Sequence, residues 1–163
     1  MGIKNSWIIF VISIFILGLS FGGSSIKQPI EFSHKKHTEQ DIECEACHIY
    51  VKEQIFAGIP NVETCLECHS EPITESKEEE KIREYHKKNK KIPWIKINNL
   101  PPHVYFSHRR HVAIAKLECK ICHGNMGELV KPPNKPLVTL KMGDCIDCHK
   151  RKKAKIDCIY CHK

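Results

Sequence analysis

Five times this chain sets two cysteines three positions apart and follows the second at once with a histidine. The copies are Cys44, Cys47 and His48; Cys65, Cys68 and His69; Cys119, Cys122 and His123; Cys145, Cys148 and His149; and Cys158, Cys161 and His162. The pattern is the attachment site of a c-type haem. Two thiols reach the two vinyl groups of one porphyrin, and the adjacent imidazole turns beneath the ring to meet the iron. All ten cysteines are consumed. A Cys-x-x-Cys pair also serves zinc sites, thioredoxin-like redox centres and disulfide frameworks. None of those explains a histidine after the second cysteine every time. Five covalently bound haem c groups are therefore expected.

Those groups constrain the fold. Without residues 1–25 about 138 residues remain, roughly 28 for each haem, too few for an ordinary apolar core around each. The expected architecture is mainly irregular and α-helical, with the haems themselves as the core and little or no β-sheet.

The N-terminus differs in kind. Lys4 precedes an apolar run from Trp7 to Leu19, which fades into the small residues Gly22 to Ser25. This describes a secretory signal peptide. It equally describes a retained anchor, since no charge falls between Lys4 and Lys27 and that length can span a bilayer. No cysteine follows the run, which argues against a lipoprotein anchor. Cleaved or retained, the rest of the chain is expected in the periplasm, where c-haem is attached, or on the periplasmic side of a bacterial inner membrane.

The formal charge of +7 describes only the polypeptide. Losing Lys4 with residues 1–25 leaves about +6, and five haems add about ten propionates, which takes the reduced holoprotein to roughly −4 and the oxidised one to near neutrality. The cluster Lys150, Arg151, Lys152, Lys153 and Lys155 can neutralise propionates or form a plainly solvated loop. It is not read as a nucleic-acid site.

A repeat organises the remainder. Phe32-Ser33-His34-Lys35-Lys36-His37 precedes two haem motifs, and Phe106-Ser107-His108-Arg109-Arg110-His111 precedes two more, with the fifth added at the end. The gap from the second histidine to the first cysteine is six residues in one copy and seven in the other. Between the copies, residues 75–88 carry acid–base pairs three and four apart without Gly or Pro, and predict an exposed helix. Ser76 and Glu79 fit a capping box at its start. Pro93, Pro101 and Pro102 then close regular structure. The expected divisions are a signal or anchor over 1–25, a two-haem module over 26–74, a connecting helix and linker over 75–102, and a three-haem module over 103–163.

Eleven histidines less the five in the motifs leave His34, His37, His86, His103, His108 and His111. Five irons with two histidines each need five of these six. The two His-x-x-His pairs put both rings of a pair on one helical face, where they can serve two haems. His34, His37, His108 and His111 are thus expected as distal ligands. His86 and His103 compete for the fifth place, and Met142, three residues before Cys145, would give a His/Met haem instead. An iron closed on both faces by histidine favours electron transfer at low potential over catalysis.

The Phe-x-His-x-x-His…Cys-x-x-Cys-His pattern resembles the class III cytochromes c, of the c3 and c7 type. The stretch from Pro93 and Trp94 through Leu100-Pro101-Pro102-His103 to His111, with Cys119…His123-Gly124 and Leu140-Lys141-Met142-Gly143-Asp144-Cys145, is similar to the multihaem cytochrome c subunits of alternative complex III and of the menaquinone reductase complex. The resemblance implies that His34 caps the haem of His48 and His108 that of His123, with His37 and His111 reaching haems further along. It also implies an N-terminal membrane helix over residues 7–23, and redox protein partners, foremost a quinone-linked membrane complex.

The expected function is electron transfer by a subunit or partner of such a complex. The alternatives are a free periplasmic c7-like carrier and a multihaem reductase, which would need an iron with an open position. No catalytic residue is expected, since no phosphate loop, catalytic triad or carboxylate pair stands out.

Overall fold

The computed structural model of the protein describes residues 26–162, so the apolar helix expected over residues 7–23 lies outside it. The helices are short: α1 (His34–Thr38), α2 (Cys44–Cys47), α3 (Val62–His69), α4 (Lys77–Lys87), α5 (Lys120–His123), α6 (Met142–Arg151) and α7 (Cys158–Cys161). A π turn spans Arg110–Ile114 and a 3₁₀ turn spans Met126–Glu128. Among the described residues there is no strand, only an antiparallel bridge between Val104 and His162. The mainly irregular and α-helical architecture is as expected. No described helix is long and apolar enough to cross a membrane.

Every haem motif carries helical turns, which puts thiols three residues apart on one side of the backbone. Apart from those turns, the described residues build one small apolar cluster. Ile30, Val62, Ile82 and Ile92 are buried together, with Leu66, Tyr85 and Trp94 packed on them. Helices α3 and α4 supply its two walls, and the extended segments around Gln28 and Ile95 close it. The Gln28 amide donates to the Ile95 carbonyl at 2.8 Å and accepts from its N–H at 3.0 Å. The Trp94 indole donates to the Pro60 carbonyl at 3.0 Å. Elsewhere apolar side chains lie open, including Ile121 and Ile159 inside the haem motifs, at 48% and 78% exposure. The polypeptide alone buries little around the motifs, as expected of a haem-cored protein.

The connecting helix forms over Lys77–Lys87, two residues shorter at its start and one at its end than the charge pattern suggested. It is not wholly exposed, because Ile82 and Glu79 are buried. The capping box does not form. Ser76 Oγ caps the helix on the Glu78 N–H at 3.3 Å rather than on that of Glu79, and the Ser76 N–H goes to Thr74 Oγ1 at 3.1 Å. Glu79 turns instead towards Ile73 and Thr74. Thr74 has taken the donor that the box requires.

The two repeats match in detail. Ser33 Oγ accepts from the Lys36 N–H at 3.3 Å, and Ser107 Oγ from the Arg110 N–H at 3.3 Å. The chain leaves each turn through a left-handed residue, Asp41 at φ 56° and Lys116 at φ 54°, followed by an N–H that returns to the second histidine of the pair. That return spans His37 to Ile42 in one copy and His111 to Leu117 in the other. The extra residue of the second copy is absorbed in the π turn, which widens one helical turn without disturbing either end.

The repeats also dock on each other reciprocally. The Lys35 N–H donates to the Leu129 carbonyl at 3.0 Å, and its counterpart, the Arg109 N–H, to the Gln54 carbonyl at 3.0 Å. Each His-x-x-His turn is thus seated on the loop that follows the first haem motif of the other copy. Thr38 Oγ1 adds a 3.0 Å bond to the Gly127 carbonyl, and a Cβ on Gly127 would come within 3.2 Å of the Thr38 methyl.

Candidate haem centres

Within each repeat the phenylalanine sits between the two histidines. Phe32 meets His34 edge-on at 4.8 Å and His37 at 4.4 Å; Phe106 meets His108 edge-on at 4.9 Å and His111 in a stack at 4.6 Å. The serine carbonyls fix the second ring of each pair, since the Nδ1–H of His37 donates to Ser33 O at 2.8 Å and that of His111 to Ser107 O at 2.8 Å. Three more rings are held the same way: His48 on Gly58 O at 2.7 Å, His108 on Ile55 O at 3.2 Å and His149 on Lys155 O at 2.6 Å. A carbonyl can only accept, so the proton sits on Nδ1 and each Nε2 keeps a free lone pair, the form that binds a metal. The glycine at 58 is required here. Its φ is +83°, and a Cβ would fall 2.8 Å from the Tyr50 ring.

The histidines meet in pairs, one from a motif and one from outside. Ring centres lie 6.1 Å apart for His37 and His69, 6.2 Å for His108 and His123, 6.0 Å for His111 and His149, and 5.5 Å for His103 and His162. Two metal–nitrogen bonds of about 2 Å, with the imidazole half-width on each side, call for a separation of roughly 6 Å. The donor set therefore fits an iron between facing imidazoles. His34 is half-buried, and burial first, then neighbouring His48 and His37, push its pKa down. Burial likewise lowers His108 and His123, and both feel His48 as well. All three are thereby biased towards neutral imidazole.

His103 and His86 are separated by the same geometry. His103 reaches His162 because the C-terminal motif folds back on the segment before the second repeat, with the Tyr105 N–H donating to the Cys161 carbonyl at 2.8 Å. His86 is exposed near the end of α4, and among the described residues it makes no ring contact with a motif histidine. Met142 opens α6 at 65% exposure.

None of the ten cysteines is disulfide-bonded. Burial raises the pKa of Cys44, Cys47, Cys122 and Cys145 and carries Cys65 to about 11, the opposite of the lowered value a thioredoxin-like thiol needs. The thiols also reveal which motifs adjoin. Cys44 lies against Cys119, while Cys47 is within electrostatic reach of Cys65 and Cys68, Cys122 of Cys145 and Cys148, and Cys145 of Cys161. Among the described residues no three His, Cys, Asp or Glu side chains converge as a separate metal site.

Sequence reasoning passed over three contributors. Phe32 and Phe106 orient both rings of a pair, the serine carbonyls set the tautomer, and Glu79 lies 3.6 Å from His69 Nδ1. The first two were visible as invariants of the internal repeat, whereas Glu79 carried no signal beyond its apparent role as a cap.

Short helices, a minimal apolar cluster and paired imidazoles beside Cys-x-x-Cys-His turns define a multihaem cytochrome c. The chain belongs to the class III family of these electron-transfer proteins. The class III cytochrome c family profile matches residues 20–95, and that of cytochrome c7 and related cytochromes c matches residues 104–163. A relative from Nitratidesulfovibrio vulgaris (strain Hildenborough), described as the multiheme cytochrome c subunit of menaquinone reductase, is 32% identical over an alignment covering 86% of this chain and 79% of its own.

Proposed function

We propose that the protein is a pentahaem electron carrier on the periplasmic side of the membrane, passing electrons between a quinone-linked membrane complex and a redox protein. One observation carries the reading: motif histidines face non-motif histidines at the spacing an iron needs. The proposed ligand pairs are His34 with His48, His37 with His69, His108 with His123, His111 with His149, and His103 with His162. When bound, each haem supplies a one-electron iron couple of low potential. The chain's own residues fix ring tautomers, would hold each iron between two histidines and so leave no position for substrate, and set the spacing of the centres.

The adjoining motifs suggest an unbranched order. The Cys65 motif neighbours the Cys44 motif, which meets the Cys119 motif across the reciprocal dock, and the Cys145 and Cys158 motifs follow. The centres at His69 and His162 would then be the two ends, one beside helix α4, whose four acidic and four basic residues balance, and the other beside Lys150–Lys155. Two-haem and three-haem modules over 26–74 and 103–163, joined by 75–102, agree with this order.

The link to a quinone complex draws on the menaquinone reductase subunit and on the apolar segment 7–23. Fractionation tests it. Burial of that segment in a bilayer holds a protein through a high-salt wash, whereas electrostatic attachment is released as screening shortens to about 3 Å at 1 M salt. The protein is expected in membranes, extracted by detergent together with quinone-reactive redox subunits. Recovery of a soluble form beginning near Ser24 or Ser25 would reject the anchor and support a free c7-like carrier.

A further inference from the structure

Glu79 stands apart from the other groups facing haem-ligand histidines. The Nδ1–H groups of His37, His48, His108, His111 and His149 meet neutral backbone carbonyls. His69 Nδ1 meets a carboxylate instead, with Glu79 Oε2 at 3.6 Å, and it has no hydrogen-bond partner of its own.

That carboxylate is buried, at 5% exposure, and it is built in. Burial alone would raise its pKa. Hydrogen bonds from Thr74 Oγ1 and from the Ile73 and Thr74 N–H groups converge on its two oxygens and stabilise the carboxylate form against that burial. The helix forgoes the capping box for this placement and keeps only the Ser76 cap on the Glu78 N–H. Arg83 approaches the same oxygen from one turn along α4, with Nη1 at 3.9 Å, buried and without a hydrogen bond. Glu79 therefore carries a fixed negative charge against His69, partly offset by Arg83.

We propose that Glu79 is a positioning and tuning residue that sets the centre of His69 apart as the lowest-potential site of the five. A carboxylate charge behind a ligating imidazole stabilises positive charge on the ring and the metal, and so favours the more positive oxidation state. A neutral carbonyl does this more weakly. Low dielectric at a buried site strengthens the effect. The inference rests on His69 being an iron ligand, as proposed above.

The test is a redox titration of the intact holoprotein followed by visible and electron paramagnetic resonance spectra, for Glu79→Gln and Arg83→Gln. Glu79→Gln keeps the shape and can still accept from Ile73 and Thr74, but it removes the charge. One centre should become about tenfold more reduced at its original midpoint, an upward shift of about 59 mV for a one-electron couple, while all centres stay low-spin. Arg83→Gln removes the offsetting cation and should shift the same centre downward. It also tests the proposal should Glu79→Gln fail to fold. Unchanged midpoints in either folded variant would overturn the role of Glu79. His69→Ala separates the two claims: if it leaves every haem low-spin, the ligand assignment fails. If it yields one high-spin haem while Glu79→Gln shifts nothing, only the tuning role fails.

Discussion

Replacing His103 by Ala should convert one haem of five to the high-spin state and open it to carbon monoxide, while replacing His86 should leave every haem low-spin. The contrast follows from position. His103 faces His162 with ring centres 5.5 Å apart and a 24° interplanar angle, whereas His86 is exposed on the connecting helix. Met142 lies on α6 with its side chain open to solvent, beside the cysteines of a different motif. Magnetic circular dichroism of the two variants gives the spin states directly. Five low-spin haems in both variants would return Met142 or another group to the fifth place.

The second large effect concerns folding. Produced without the covalent attachment machinery, or with the motif cysteines changed to serine, the chain should lack a cooperative unfolding transition and most of its helical signal. Its buried aliphatic cluster has four members, Ile30, Val62, Ile82 and Ile92, each worth only about 1.5–3 kcal/mol. Helices of four or five residues such as α2, α5 and α7 are far below the length that is stable alone. The reciprocal dock adds a few backbone hydrogen bonds, each contributing about 1 kcal/mol net. These terms do not offset the ordering of so long a chain. Circular dichroism during thermal or denaturant titration checks the prediction, and a sharp transition in the haem-free chain would contradict it.

How far the sequence can be read follows from which features are local. The Cys-x-x-Cys-His turns and the Phe-Ser-His-x-x-His repeat are local, so the motif positions and the fold class were legible in it, and the four paired histidines could be singled out as candidates. The connecting helix was legible too, because its ion pairs lie within a few residues, as with Lys81 and Glu78 or Lys88 and Glu84. The choice between His103 and His86 was not. It depends on the C-terminal motif returning to bridge Val104, a contact spanning most of the second half of the chain. Glu79 was misread for a related reason. A serine followed three residues later by a glutamate announces a capping box, and nothing nearby says that Thr74 will take the serine N–H and that His69 will lie behind the carboxylate. The one-residue difference between the repeats was countable in the sequence, but its absorption in a π turn became clear only when both ends of the insertion were found unmoved.

Five haems in one short chain are tested most directly by the intact mass of the mature holoprotein. The mass should exceed that of the polypeptide by five haem groups, and thiol titration of the unfolded protein should find no free cysteine among the ten. Three or fewer haems, free thiols, or bound zinc in their place would contradict it.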